Sequence, residues 1–217
     1  MKNDEICIDE FLKDISLPRT KEELHAYYKS TIKKIESDQN LIRLARLKKG
    51  LFKEFFEELV PLIIYSKSKY CEEGDLLNIV VGNQKYDAIV KKSTLEKRLE
   101  FSKYANGKLH IQEAKQLNKN GYTDVIVGDV IEAQNEYLVN FRKCLMKKSK
   151  IGYKDTEIIF IVDDDEAFRL IFDFNFIAFK NRIIELINDI DFGENRIYLM
   201  LPKNLDPFDD EHIILIK

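Results

Sequence analysis

The chain has 217 residues, 45% of them apolar, which is enough to bury a hydrophobic core in one domain. No run of eighteen apolar residues occurs, and the N-terminal stretch "MKNDEICIDEFLKDISLP" is acidic, without the basic-then-apolar order of a signal peptide; neither a membrane-spanning nor a secreted protein is expected, and a cytoplasmic one is. The formal net charge of −3 hides an asymmetry: residues 1–154 hold 29 Lys and Arg against 23 Asp and Glu, whereas residues 155–217 hold 6 against 15.

In chain order, "SLPRTKEEL" supplies a capping-type helix start, and Leu24, Tyr27, Tyr28, Thr31, Ile32 and Ile35 recur at helical spacing, so residues 1–40 read as a helical arm. From Leu41 to Tyr70, apolar residues recur every three or four positions and predict one long amphipathic helix, kinked or shortened by Pro61. Periodicity then changes to that of strands. "LLNIVVG", "KYDAIVKK" and "KRLEFSKY" predict a three-strand meander, with turns at "NQ" and "STLE".

"LHIQEAKQLNKNG" reads as a helix closed by Gly121, "YTDVIVGDV" as a short strand or loop, and "EAQNEYLVNFRKCLMKKSK" as a second helix. "TEIIFIVDDD" is an apolar run ended by acids, as in a strand buried on both faces; a helix "FNFIAFKNRIIELINDI", a buried strand "NRIYLML" and an edge strand "HIILIK" follow. The expected architecture is α/β, a mixed sheet flanked by helices, with residues 41–217 as a single domain.

Neither the cysteines (Cys7, Cys71, Cys144) nor the histidines (His25, His110, His212) fall at metal-ligand spacing. Two carboxylates do invite attention. Asp87 lies between apolar residues in the second predicted strand, sharing a face with Ile89 and Lys91. In the third, Glu100, Ser102 and Tyr104 share the face opposite Leu99 and Phe101. As hairpin neighbours, Asp87 and Glu100 could reach one ion, and two carboxylates brought together suit Mg²⁺, which keeps several waters for a phosphate to displace.

The order helix, three-strand meander, helix, strand, with an acid on the second strand and another on the third, resembles the core of the PD-(D/E)XK nuclease superfamily over roughly residues 41–162. The resemblance implies a restriction-endonuclease-like core (α-β-β-β-α-β) and Mg²⁺- or Mn²⁺-dependent hydrolysis of phosphodiester bonds, with roles such as defence. Asp87 and Glu100 would be metal ligands, joined by an acid from the first core helix, Glu58 in preference to Glu57. The motif lysine is missing: Ser102 stands in its place, and Lys103 should point to the other face. The following helix offers Gln112, Lys115 and Gln116 as substitutes, with Gln112 or Lys115 orienting the attacking water. The basic segments "RLARLKKGLFK" and "FRKCLMKKSKIGYK", the latter with Lys143, Lys147, Lys148 and Lys150, would hold a nucleic-acid backbone.

Other readings stand beside these. Asp87 could answer Lys91 or Lys97, and Glu100 could answer Arg98 or another cross-strand base. "VDDDE" and "DPFDDEH" read as solvated loops, "YANG" as turn chemistry, and Phe172, Phe174, Phe176 and Phe179 as core. With Ser102 in the motif, the fold could serve only to bind nucleic acid, or to bind a basic protein partner through the acidic C-terminal third.

Overall fold

A computed structural model describes residues 8–104, 107–123, 130–162, 176–201 and 213–217. Among the described residues the chain is an α/β protein with a six-stranded mixed sheet, its strands adjacent in chain order, flanked by helices. It divides into two compact units, residues 1–98 with 107–123, and residues 99–106 with 124–217. None of the described helices is long and apolar enough to cross a membrane.

The first unit begins with α1 (Ile8–Phe11) and α2 (Lys21–Glu36). At the start of α2 the Thr20 hydroxyl accepts from the Glu23 amide at 3.3 Å while the Glu23 carboxylate accepts from the Thr20 amide at 2.9 Å, a reciprocal capping box. Its inward stripe (Leu24, Thr31, Ile35) packs on the elements that follow, α3 (Gln39–Arg46), α5 (Val60–Ser66) and β1 (Leu76–Ile79).

The single long helix expected from Leu41 to Tyr70 does not form. Helix α3 stops in a Schellman-type end: the Lys49 amide bonds the Leu44 carbonyl, the Lys48 amide bonds the Ala45 carbonyl, and Lys48 takes φ 47° where glycine is usual. Gly50 follows, also left-handed, at φ 55°. The helix restarts as α4 (Phe52–Glu54), passes through a π-helical turn (Phe55–Leu59) and continues as α5. Pro61 has no N–H to give to a preceding carbonyl, and the wider turn, in which the Val60 amide bonds the Phe55 carbonyl, accommodates it without ending the helix.

Strands β1 and β2 (Ala88–Lys92) pair antiparallel with Ile79 opposite Ala88. The two-residue turn expected at "NQ" is instead an eight-residue connection, 80–87, closed by the Val80 amide on the Asp87 carbonyl at 2.8 Å. Asp87 therefore precedes β2 and does not sit within it. After a turn at Ser93, which has φ 52°, β3 (Leu95–Lys103) begins in the first unit and ends in the second. Helix α6 (Gly107–Asn120) stops at Gly121, whose φ of 80° suits glycine. It is tied to α3 by Asn118, which donates to the Arg43 carbonyl at 3.1 Å.

The second unit contains the rest of β3, α7 (Val130–Ser149), β4 (Thr156–Ile161), α8 (Phe176–Asn188), β5 (Ile197–Met200) and β6 (Ile213–Leu215). β4 and β5 are parallel and every position in both is buried, as the apolar runs Ile158–Ile161 and Ile197–Met200 predict; Thr156 and Glu157 at the start of β4 are buried polar residues. β6 pairs antiparallel with β5 at the end of the sheet. Phe141 and Leu145 of α7, Ile158 and Phe160 of β4, Ile183 and Ile187 of α8, and Leu199 of β5 form one core. "VDDDE" beyond Val162, "DPFDDEH", Phe172, Phe174 and most of "YTDVIVGDV" lie outside the described residues. Phe179 belongs to the core.

Candidate functional site

Strand β3 alternates as its sequence predicts, but over residues 99–102 both of its faces are buried. Leu99 and Phe101 occupy one face, and Glu100 and Ser102, 6% and 3% exposed, the other. The second face meets α7, which runs across it in the opposite direction. The Tyr104 and Tyr137 rings meet edge-on at 5.4 Å, Ser102 Oγ lies 3.6 Å from Cys144 Sγ, and the Lys148 ammonium forms an ion pair with Glu100 Oε1. Cys144 and Lys148 are one helical turn apart, so their rise along α7 matches a two-residue step on a strand.

Tyr153, itself buried, donates from its hydroxyl to the same Glu100 Oε1 at 3.2 Å. A carboxylate withdrawn from water needs such donors, because an ionised group without them costs several kcal/mol, roughly, to bury. Among the described residues Glu100 has one cationic donor and one neutral donor, both from the segment that ends α7 and leads into β4.

This arrangement redraws several sequence-derived assignments. Glu100 pairs with a helix lysine 48 residues away; Arg98 instead contacts Glu96 at 3.4 Å and lies over the Tyr86 ring. Of the four lysines expected to bind a nucleic-acid backbone, Lys143, Lys147 and Lys150 are exposed. Lys148 is turned inward, its side chain only 24% exposed. The Ser102 hydroxyl is turned toward Cys144.

The remaining candidates belong to the first unit. Asp87 is half-buried at the mouth of β2. Glu58 is half-buried in the π turn, whereas Glu57 is exposed and pairs with Lys48 at 2.9 Å. Gln112 and Lys115 are both exposed on α6, whose buried residue is Ala114. No group of three or more His, Cys, Asp or Glu side chains gathers among the described residues. Cys71 is a poor nucleophile: burial, with the neighbouring Asp75 carboxylate, pushes its thiol up to about 11.

Of the ligands that a hard divalent cation takes, the buried part of this face of β3 offers one carboxylate among the described residues, Glu100, and its Oε1 is already held by the Lys148 ammonium and the Tyr153 hydroxyl. Mg²⁺ needs only one or two carboxylates when water completes its shell, and an ammonium, having no lone pair, is not among its ligands. Sequence reasoning missed both Tyr153 and Lys148 as partners of this carboxylate. Lys148 was legible, since Phe141, Leu145 and Lys148 follow the i, i+4, i+7 spacing of one helix face. Tyr153 lies beyond the helix end, where no periodicity points.

Comparison of the chain with protein-family models, with curated proteins and with solved structures returns no match, so the reading of the site rests on its geometry and chemistry.

Proposed function

We propose that the chain is a Mg²⁺- or Mn²⁺-dependent phosphodiesterase acting on nucleic acid, built on a PD-(D/E)XK-like core in which Lys148 of α7 supplies the base missing at Ser102. The observation that carries this reading is the Lys148 ammonium on the buried Glu100 carboxylate, an acid and a lysine adjacent in space though not in sequence. The element order, helices followed by β1, β2 and β3, then helices and β4, is the order on which the resemblance rests.

In this reading Glu100 holds the ion, Tyr153 fixes the orientation of its carboxylate, and Lys148 presents a positive charge to an anionic phosphate. A bound Mg²⁺ or Mn²⁺ supplies Lewis-acid polarisation of a phosphate oxygen and a water of lowered pKa. Lys143 and Lys147, exposed on the C-terminal half of α7, and Lys150, just beyond it, hold the backbone of the substrate. The parts of Asp87 and Glu58 as further ligands, and of Gln112 and Lys115 in orienting water, rest on sequence order alone.

Cleavage of plasmid, single-stranded DNA and RNA with Mg²⁺ or Mn²⁺ tests the proposal. Wild type should cut at least one substrate, and Glu100→Gln and Asp87→Asn should fall to background. Equal cleavage by all three proteins, or none under any condition, would remove the catalytic claim.

A second reading, a nucleic-acid-binding module with a degenerate site, is favoured by the low exposure of Glu100 and by the packing of Ser102 against Cys144. It expects binding without cleavage. In both readings, replacing Lys143, Lys147 and Lys150 with Glu should weaken binding and flatten its salt dependence, by about 0.7–0.9 in log–log slope for each phosphate that the variant no longer neutralises.

A further inference from the structure

We propose that α3 and α6 of the first unit form one nucleic-acid docking surface, with Arg43 and Arg46 of α3 and Lys108, Lys115 and Lys119 of α6 as its phosphate contacts; this rests on the reading above that the chain binds nucleic acid. Hydrophobic spacing does not show the juxtaposition, because Arg43 and Asn118 lie 75 residues apart. Asn118 joins the two helices. Its side-chain amide donates to the Arg43 carbonyl at 3.1 Å, and its Oδ1 accepts from the Arg46 guanidinium at 3.4 Å. The seam fixes α6 against the side of α3 that carries both arginines.

Each helix brings cations to a surface poor in acids. Residues 39–53 contain five Lys and Arg and no Asp or Glu, and Arg43 and Arg46 are exposed. On α6, Lys108, Lys115 and Lys119 are exposed and fall within about 40° of one another around the helix, a single stripe ~16 Å long. A strand of B-form duplex, rising about 3.4 Å per phosphate, passes roughly five phosphates over that length. Glu113, the acid of α6, lies about 140° around the helix from the stripe and 3.8 Å from His110. Lys48, from the same basic run as the arginines, is committed to Glu57 at 2.9 Å. Among the described residues none of the five cations of the surface pairs with a carboxylate, so all five remain available to an anionic partner.

The experiment uses the full chain and measures fluorescence anisotropy of labelled single-stranded and duplex DNA over a salt series, with EDTA present to silence cleavage. Two variants neutralise the surface, Arg43→Gln with Arg46→Gln and Lys115→Gln with Lys119→Gln. A control, Lys29→Gln with Lys69→Gln, removes the same charge from exposed positions of the first unit on neither helix. Each surface pair should weaken binding by about tenfold or more at low salt and reduce the log–log salt slope by about 1.4–1.8, the share of two phosphates, whereas the control should change neither. The lysine pair touches no bond of the Asn118 seam, so its result stands even if the arginine pair disturbs the packing of α6. Wild-type binding that either surface pair leaves unchanged, or that the control weakens as much, would overturn the α3–α6 surface and leave the nucleic-acid reading in place. No binding by wild type to either DNA at any salt concentration would overturn both.

Discussion

The two units use the same pairs of charged residues to different ends. In the first, Lys48–Glu57 joins side chains that are 42% and 44% exposed, and Lys92–Glu72 joins two that are more exposed still. In the second, Lys148–Glu100 joins a side chain 24% exposed to one 7% exposed, and a tyrosine completes it. Water and salt screen the first kind, and its loss leaves two solvated ions; in the second, either partner left alone is a charge in a poor solvent. Position, more than chemical identity, separates a decorative charge from one on which local structure depends.

The largest expected effect is Lys148→Met, which strips the Glu100 carboxylate of its cationic donor and leaves it the Tyr153 hydroxyl. Urea denaturation should show destabilisation toward the lower end of the ~3–5 kcal/mol typical of broken buried pairs, because Lys148 is not fully enclosed. The double variant Lys148→Met, Glu100→Leu should recover much of that loss, and failure to recover would mean that the pair is not the coupled unit described. Tyr153→Phe, which removes one bond to a charged acceptor, should cost about 1.5–3 kcal/mol.

Thr20→Ala removes half of the capping box of α2 and should cost ~1 kcal/mol by thermal unfolding. Lys48→Ala should cost at most about 1 kcal/mol, and the cost should shrink further at high salt; a loss as large as that of Lys148→Met would break the contrast between the units. The smallest effect concerns pH. Burial, followed by the nearby Lys67 charge, lowers the pKa of His25 below its usual 6.5. The unfolded chain therefore takes up this proton more readily than the folded one, so His25 favours the fold fully above about pH 6.5 and less as pH falls through its depressed value. His25→Gln should flatten the stability profile in that window and leave it unchanged above pH 7.

Regular periodicity carried most of the architecture. Helices α2, α7 and α8 and the buried strands β4 and β5 fall where apolar spacing places them, since each helix is long and each strand carries a run of four apolar or aromatic residues. The failures are local and backbone-driven. The break after α3 depends on a lysine adopting a glycine-like conformation, and the long connection before Asp87 depends on loop hydrogen bonding, neither of which leaves a mark in hydrophobic spacing. Alternation on β3 correctly set Glu100 and Ser102 apart from Leu99 and Phe101. Their partners lay beyond strand logic, because a helix supplies them 48 and 42 residues later.

Strand β3 has a further consequence for how the chain acquires its structure during synthesis. The first unit takes residues up to Arg98, yields eight residues to the second, and resumes at Gly107 to finish at Thr123. No single cut in the chain separates two complete halves. A nascent chain that has emerged only as far as residue 98 lacks α6, and the Arg43 carbonyl at the edge of α3 still awaits Asn118. Completion of the first unit must therefore follow emergence of the middle of β3, whose own partners on α7 come later still. Truncations at residue 98 should yield a protease-sensitive fragment, whereas the intact chain should release none of that size.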